Sequence, residues 1–221
     1  MSAAPGTDAG RRTSTVDALR RDVLVAVIRG ANSASAVRAV DALVAGGIRG
    51  IEVTYTTPGA TEVIAELAGR YGDEITLGAG TVTTAQQAAD AVEAGAGFLV
   101  SPGTRPGLAA AMRETGAALL LGALTPSEVM ASRDEGADLV KLFPASLGGP
   151  GFLRSLRGPF PDVDFCPTGG VNPQTIPGWL DAGAVALGAG GELCPAAKVA
   201  AGDWAGITEL AREFVAALPG R

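Results

Sequence analysis

The chain has 221 residues, 47% of them apolar, with 17 basic and 23 acidic residues, a net charge of −6 and no histidine. No basic block stands out, which argues against nucleic acid or an anionic membrane surface as a partner, and no apolar run approaches the ~20 residues of a membrane span. Histidine, the usual nitrogen ligand, is absent, and Cys166 and Cys194 have no close partner at metal-ligand spacing, so a metal site is not expected; free thiols in a reducing cytoplasm are.

Residues 1–15 are small and polar, with Arg11 and Arg12 but no hydrophobic segment behind them. They are expected to form a flexible tail rather than a secretory signal, ahead of one domain over residues 16–221. From there a short β-branched run alternates repeatedly with an amphipathic, Ala/Leu-rich segment. The pattern predicts strands over 23–28, 50–54, 75–79, 97–101, 118–121, 139–143, 164–167 and 184–188. Helices are predicted between them over 34–46, 59–70, 85–94, 107–114, 126–134 and 173–182, with a weaker one over 150–156 and a closing one over 204–217. Thr125-Pro126-Ser127-Glu128 reads as a capping box with proline at the first helical position, and Asn172-Pro173 repeats the cap-then-proline pattern. Strands whose hydrophobicity is continuous rather than alternating belong to a parallel sheet covered by helices on its outer face. About eight such units in a chain of this length fit a single-domain α/β fold, the (β/α)8 TIM barrel. An open doubly wound sheet is the alternative, but its dinucleotide fingerprint is missing.

Two charges interrupt otherwise apolar strands. Lys141 lies in Leu139-Val140-Lys141-Leu142-Phe143, where alternation places Leu139, Lys141 and Phe143 on one face. A lone ammonium there must be paired or give up its proton, and a neutral buried lysine is a nucleophile able to form a Schiff base with a carbonyl carbon. The bland alternative is a lysine whose ammonium reaches the hydrated rim. Glu52, in Gly50-Ile51-Glu52-Val53-Thr54, also needs a partner. Glu52 and Lys141 are able to satisfy each other, as a structural ion pair or as nucleophile and proton shuttle.

Other segments read as ligand cradles. Gly78-Ala79-Gly80-Thr81-Val82 follows a strand, and its backbone N–H groups and the Thr81 hydroxyl are placed to hold a carboxylate. Thr168-Gly169-Gly170 ends the seventh strand and Gly190-Gly191 the eighth. Glycine pairs there are a frequent phosphate site in barrels, although a tight turn alone explains them too. Arg29, directly after the first strand, is a candidate for a bidentate grip on a carboxylate, or a solvated arginine.

Taken together, Ile51-Glu52-Val53-Thr54, Gly78-Ala79-Gly80-Thr81-Val82, Val100-Ser101-Pro102-Gly103, Lys141-Leu142-Phe143-Pro144-Ala145 and Phe165-Cys166-Pro167-Thr168-Gly169-Gly170-Val171 resemble the 2-keto-3-deoxy-6-phosphogluconate (KDPG) and 4-hydroxy-2-oxoglutarate (KHG) aldolases. The likeness runs in order over nearly the whole chain. It implies a homotrimeric barrel and a class I aldolase that splits a 2-keto-4-hydroxy acid into pyruvate and an aldehyde without a cofactor. By the same resemblance Lys141 forms the imine, Glu52 serves as general acid and base, and Thr81 helps to hold the pyruvyl carboxylate. Pro102 and Phe143 wall the site; Thr168, Gly169, Gly170, Gly190 and Gly191 line the phosphate end. Two positions depart from the pattern. Thr56 stands where some relatives carry a substrate-gripping arginine, a role Arg29 is placed to assume, and Glu192 follows Gly191 where serine is common. A carboxylate beside a bound phosphate costs ~1 kcal/mol or more unless it turns away, so a non-phosphorylated substrate stays open. A phosphosugar isomerase or epimerase using Glu52 as base is a competing enzyme class, and a catalytically silent binding barrel is a third.

Overall fold

The computed structural model describes residues 8–220. Helix α1 (Asp8–Asp22) leads into β1 (Leu24–Ile28), α2 (Ser33–Ala45), β2 (Gly50–Thr54), α3 (Ala60–Tyr71), β3 (Thr76–Gly80), α4 (Ala85–Glu93) and β4 (Phe98–Val100). The second half continues with α5 (Pro106–Glu114), β5 (Ala118–Ala123), α6 (Pro126–Asp134), β6 (Leu139–Leu142), α7 (Gly149–Arg157), β7 (Phe165–Pro167), α8 (Ile176–Asp181), β8 (Leu187–Ala189), α9 (Ala196–Ala201) and α10 (Trp204–Ala216). All strand pairs are parallel, in the order β7-β6-β5-β4-β3-β2-β1-β8. The two ends of that sheet meet through a parallel bridge between Thr168 and Gly188 and a 3.1 Å bond from the Val185 N–H to the Phe165 carbonyl, which closes the expected TIM barrel.

The continuous apolarity of the strands has a direct cause: they are buried on both faces. Val25, Phe98, Val100, Ala118, Leu120, Leu139, Cys166 and Ala186 pack in the lumen, whereas Ile51, Val53, Val140 and Leu142 pack outward against the helices. Leu139 and Val140 fall on opposite sides, as the alternation requires. Lys141 therefore shares the lumen face with Leu139.

Helix α1 corrects the expected boundary of a flexible tail. Residues 8–15, assigned to that tail, are the first half of a helix that closes the amino end of the barrel. Val16 and Leu19 enter the lumen cluster, the Arg12 guanidinium binds the Asp138 carboxylate at 2.9 Å and the Gly136 carbonyl at 2.8 Å, and Arg20 binds Asp164 at 2.6 Å. The rest of the proposed tail, residues 1–7, lies outside the described residues. Among the described residues no helix is long and apolar enough to cross a membrane.

The Thr125 capping box forms as expected: Thr125 Oγ1 accepts the Glu128 N–H, and Glu128 Oε2 accepts the Thr125 N–H at 2.7 Å. The Leu124 N–H, which donates to the same oxygen at 2.9 Å, and the Thr125 N–H hold the Glu128 carboxyl below its ordinary pKa. The Asn172-Pro173 signal instead closes a turn, with Asn172 Oδ1 accepting the Thr175 N–H at 2.9 Å, and α8 begins only after it.

Candidate active site

Lys141 and Glu52 meet inside the barrel. Lys141 stands on β6 between Gly122 of β5 and Cys166 of β7, and Glu52 on β2 between Val27 of β1 and Gly78 of β3. Both side chains are almost wholly buried, 4% and 3% exposed, with Lys141 Nζ 3.4 Å from Glu52 Oε1. That separation exceeds the roughly 2.7–2.9 Å of a tight charge-assisted hydrogen bond. Each charge is compensated, yet the amine is not locked against the carboxylate. The snorkelling alternative for Lys141 does not describe this side chain.

Glycine makes the hollow around the pair. A methyl group on Gly80 would overlap the Glu52 carboxylate, one on Gly78 would run into the Phe98 ring, and one on Gly122 would strike the Pro102 carbonyl. The repeated glycines of β3 are therefore vacancies in the lumen wall, in addition to any part in a turn.

Phe143 is half-buried, its ring centroid 5.4 Å from Lys141 Nζ, within cation–π range. Cys166, opposite Lys141 in the β6–β7 register, has its thiol pKa pushed up to about 12, chiefly by burial and then by the Glu52 charge. Cys194 is raised to about 11 by burial. A thiol whose pKa lies that high remains protonated, and the thiolate is the reactive form. Both cysteines are accordingly expected to resist alkylation by iodoacetamide at about pH 8 in the folded protein and to react once it is unfolded. Rapid labelling of the native chain would contradict this, and peptide mapping reads the outcome.

The other candidates sit at the carboxyl end of the strands. Thr81 follows β3 with φ of 53°, a left-handed conformation that strains a β-branched residue. Pro102 is exposed after β4, its carbonyl against Gly122. Arg29 is exposed after β1 and donates from Nη1 to Thr56 Oγ1 at 3.2 Å. Thr168 is buried at the end of β7 and bridges to Gly188, where a side chain would collide with the Thr168 hydroxyl. Gly169 and Gly170 follow with φ of 101° and 74°, as only glycine readily allows. Gly191 has open space about its Cα, the Gly190 carbonyl accepts the Leu193 and Cys194 N–H groups, and Glu192 is exposed. The Thr168–Gly188 bridge brings the β7 and β8 glycine pairs to one side of the mouth. Ser146, which the sequence pattern does not single out, lies against Gly170 from the loop after β6. Direct contact with Lys141 is made by Glu52 and Phe143; the remaining candidates surround the opening.

The family model described as Aldolase: KDPG and KHG aldolase matches residues 16–210. The chain is 41% identical over 210 residues to a 2-dehydro-3-deoxy-phosphogluconate aldolase of Pseudoalteromonas atlantica, covering 95% of this chain and 97% of that one. It is 41% identical over 205 residues to the KHG/KDPG aldolase of Escherichia coli K12, covering 92% and 96%. A solved structure of KDPG aldolase from Legionella pneumophila, with pyruvate captured at low pH as a covalent carbinolamine intermediate, is similar with a TM-score of 0.80 at 33% identity, over 95% of this chain and 98% of that one. The chain belongs to the KDPG and KHG aldolase family.

Proposed function

We propose that this protein is a class I aldolase that cleaves KDPG, or a closely related 2-keto-3-deoxy-4-hydroxy acid, to pyruvate and an aldehyde, which for KDPG is glyceraldehyde 3-phosphate. The observation that carries this reading is a buried lysine amine 3.4 Å from a buried carboxylate inside the barrel. Transfer of a proton from Nζ to Glu52 frees the amine to attack the keto carbon, giving a carbinolamine. Glu52 then protonates the departing hydroxyl, directly or through a water, and the iminium forms. As the carboxylate takes the proton of the C4 hydroxyl, the bond between C3 and C4 breaks, and its electrons flow into the iminium to leave an enamine. Protonation of the enamine carbon and hydrolysis of the imine release pyruvate and regenerate Lys141. One carboxylate serves every proton transfer because the steps alternate between giving and taking.

Thr81 and Arg29 are the groups proposed for the substrate carboxylate, with Pro102 and Phe143 as walls. Gly169, Gly170, Gly190 and Gly191, beside Thr168, are proposed to hold the distal phosphate through bare backbone. Family membership also supports a homotrimer and a cytoplasmic setting. The test is pyruvate release, read by coupling to lactate dehydrogenase, from KDPG, its unphosphorylated counterpart and 4-hydroxy-2-oxoglutarate. Release from KDPG with kcat/KM at least about tenfold above the other two is expected of a working phosphate site, since one well-made anion contact exceeds the ~1 kcal/mol repulsion from an exposed Glu192. No release from any of the three would remove the aldolase assignment.

A further inference from the structure

The ends of β1 and β2 are joined by a chain of hydrogen bonds that runs from the buried wall of the site to the exposed guanidinium of Arg29. Thr54, wholly buried, places its hydroxyl 2.8 Å from the Ile28 carbonyl and 2.7 Å from the Thr56 hydroxyl. Thr56 lies in turn 3.2 Å from Arg29 Nη1. The inventory of donors orients the whole chain. A carbonyl only accepts, so the single Thr54 proton goes to Ile28; Thr54 must then accept from Thr56; and Thr56 is left with lone pairs for Arg29, which only donates. Thr57 braces the same junction, its hydroxyl accepting the Gly30 N–H at 3.0 Å. Arg29 follows Val25 and Val27 at a spacing of two along the strand, and Thr54 follows Glu52 in the same way, which puts both on the face that lines the opening. Among the described residues no carboxylate neutralises Arg29; the Thr56 hydroxyl is the partner that holds it.

We infer that Thr54 and Thr56 form a one-way hydrogen-bond relay that positions Arg29 to grip the carboxylate of the 2-keto acid. Thr56 is a positioning residue, and the relay gives this chain a fixed cation at the mouth while Lys141 and Glu52 are occupied with each other. A hydroxyl suits the task because it accepts from a guanidinium without cancelling its charge. A carboxylate at position 56 would orient Arg29 equally well and quench its attraction for an anion.

The inference rests on the aldolase reading, and pyruvate trapping separates the two. The rate of irreversible imine reduction by borohydride, followed against pyruvate concentration, yields a half-saturating concentration and a limiting rate. Thr56→Val keeps the shape of an exposed side chain and removes the acceptor. It is expected to raise the half-saturating concentration about tenfold with little change in limiting rate, the scale of one lost hydrogen bond to a charged group. Thr56→Ser restores the hydroxyl and is expected to restore the wild-type value. Arg29→Ala is expected to weaken pyruvate at least as much, and the Arg29→Ala/Thr56→Val double variant to be no worse than Arg29→Ala alone. A Thr56→Val protein within about twofold of wild type, an Arg29→Ala protein equal to wild type, or additive losses in the double variant would each overturn the relay while leaving the aldolase intact. A wild-type protein that traps no pyruvate would overturn the aldolase reading, and the relay with it.

Discussion

Lys141→Met is expected to lower kcat for aldol cleavage on the order of 10⁵-fold to 10⁶-fold, the scale seen when a nucleophile that works as a unit with its partners is removed. Methionine fills nearly the same space, so the lumen stays packed, but no amine remains there to form the imine, and among the described residues the other lysine, Lys198, is partly exposed and paired with Asp203. The substitution also strands Glu52, whose side chain is 3% exposed. Breaking a buried pair by deleting one member typically costs ~3–5 kcal/mol, so the single variant is expected to unfold at lower urea concentration. The double variant Lys141→Met/Glu52→Gln leaves no isolated charge. It is expected to regain most of the lost stability and none of the activity, which separates the chemical role of the amine from its structural one. Urea denaturation and steady-state kinetics on the same preparations make the comparison, and recovery of activity in the double variant would contradict the nucleophile role.

Glu52→Gln has the second largest expected effect. Glutamine keeps the length of the side chain and an oxygen for Lys141 but cannot shuttle protons. Loss of general acid–base catalysis is expected to lower kcat on the order of 10²-fold to 10⁴-fold, equivalent to ~3–5 kcal/mol in the barrier. Because every step of the proposed cycle uses the same carboxylate, exchange of the pyruvate methyl protons with deuterated solvent is expected to slow in parallel with cleavage. That exchange passes through the imine and the enamine without breaking a carbon–carbon bond, and is followed by proton NMR. A kcat reduced less than about tenfold would reduce Glu52 to a counter-ion for the lysine.

The barrel was legible because a parallel sheet buried on both sides leaves a plain trace, with apolar runs separated by helices whose caps are local. Thr125 and Glu128 satisfy each other within four residues, so no tertiary context is needed to see them. Helix α1 was not legible over residues 8–15 because Arg12 is held by Asp138, more than a hundred positions away. Helix α9 escaped because six residues, Ala-Ala-Lys-Val-Ala-Ala, are too few to display a period. Lys141 and Glu52 stood out for a physical reason, since each is a charge at a lumen position of a strand buried on both faces. Their pairing was a matter of electrostatic necessity and required no knowledge of register. The neighbours of the pair were hidden by that same register: Cys166 faces Lys141 only through the β6–β7 stagger, and Thr56 reaches Arg29 only through that of β1 and β2.

Incubation of the wild-type protein with pyruvate and borohydride, followed by peptide mass spectrometry, asks directly whether a lysine held inside the barrel carries the chemistry. The chain has only two lysines, Lys141 and Lys198, so the site of any adduct is unambiguous. A reduced pyruvyl adduct is expected on Lys141, buried beside Glu52, and not on the partly exposed Lys198, which pairs with Asp203. An adduct confined to Lys198, or no adduct at all, would contradict the mechanism.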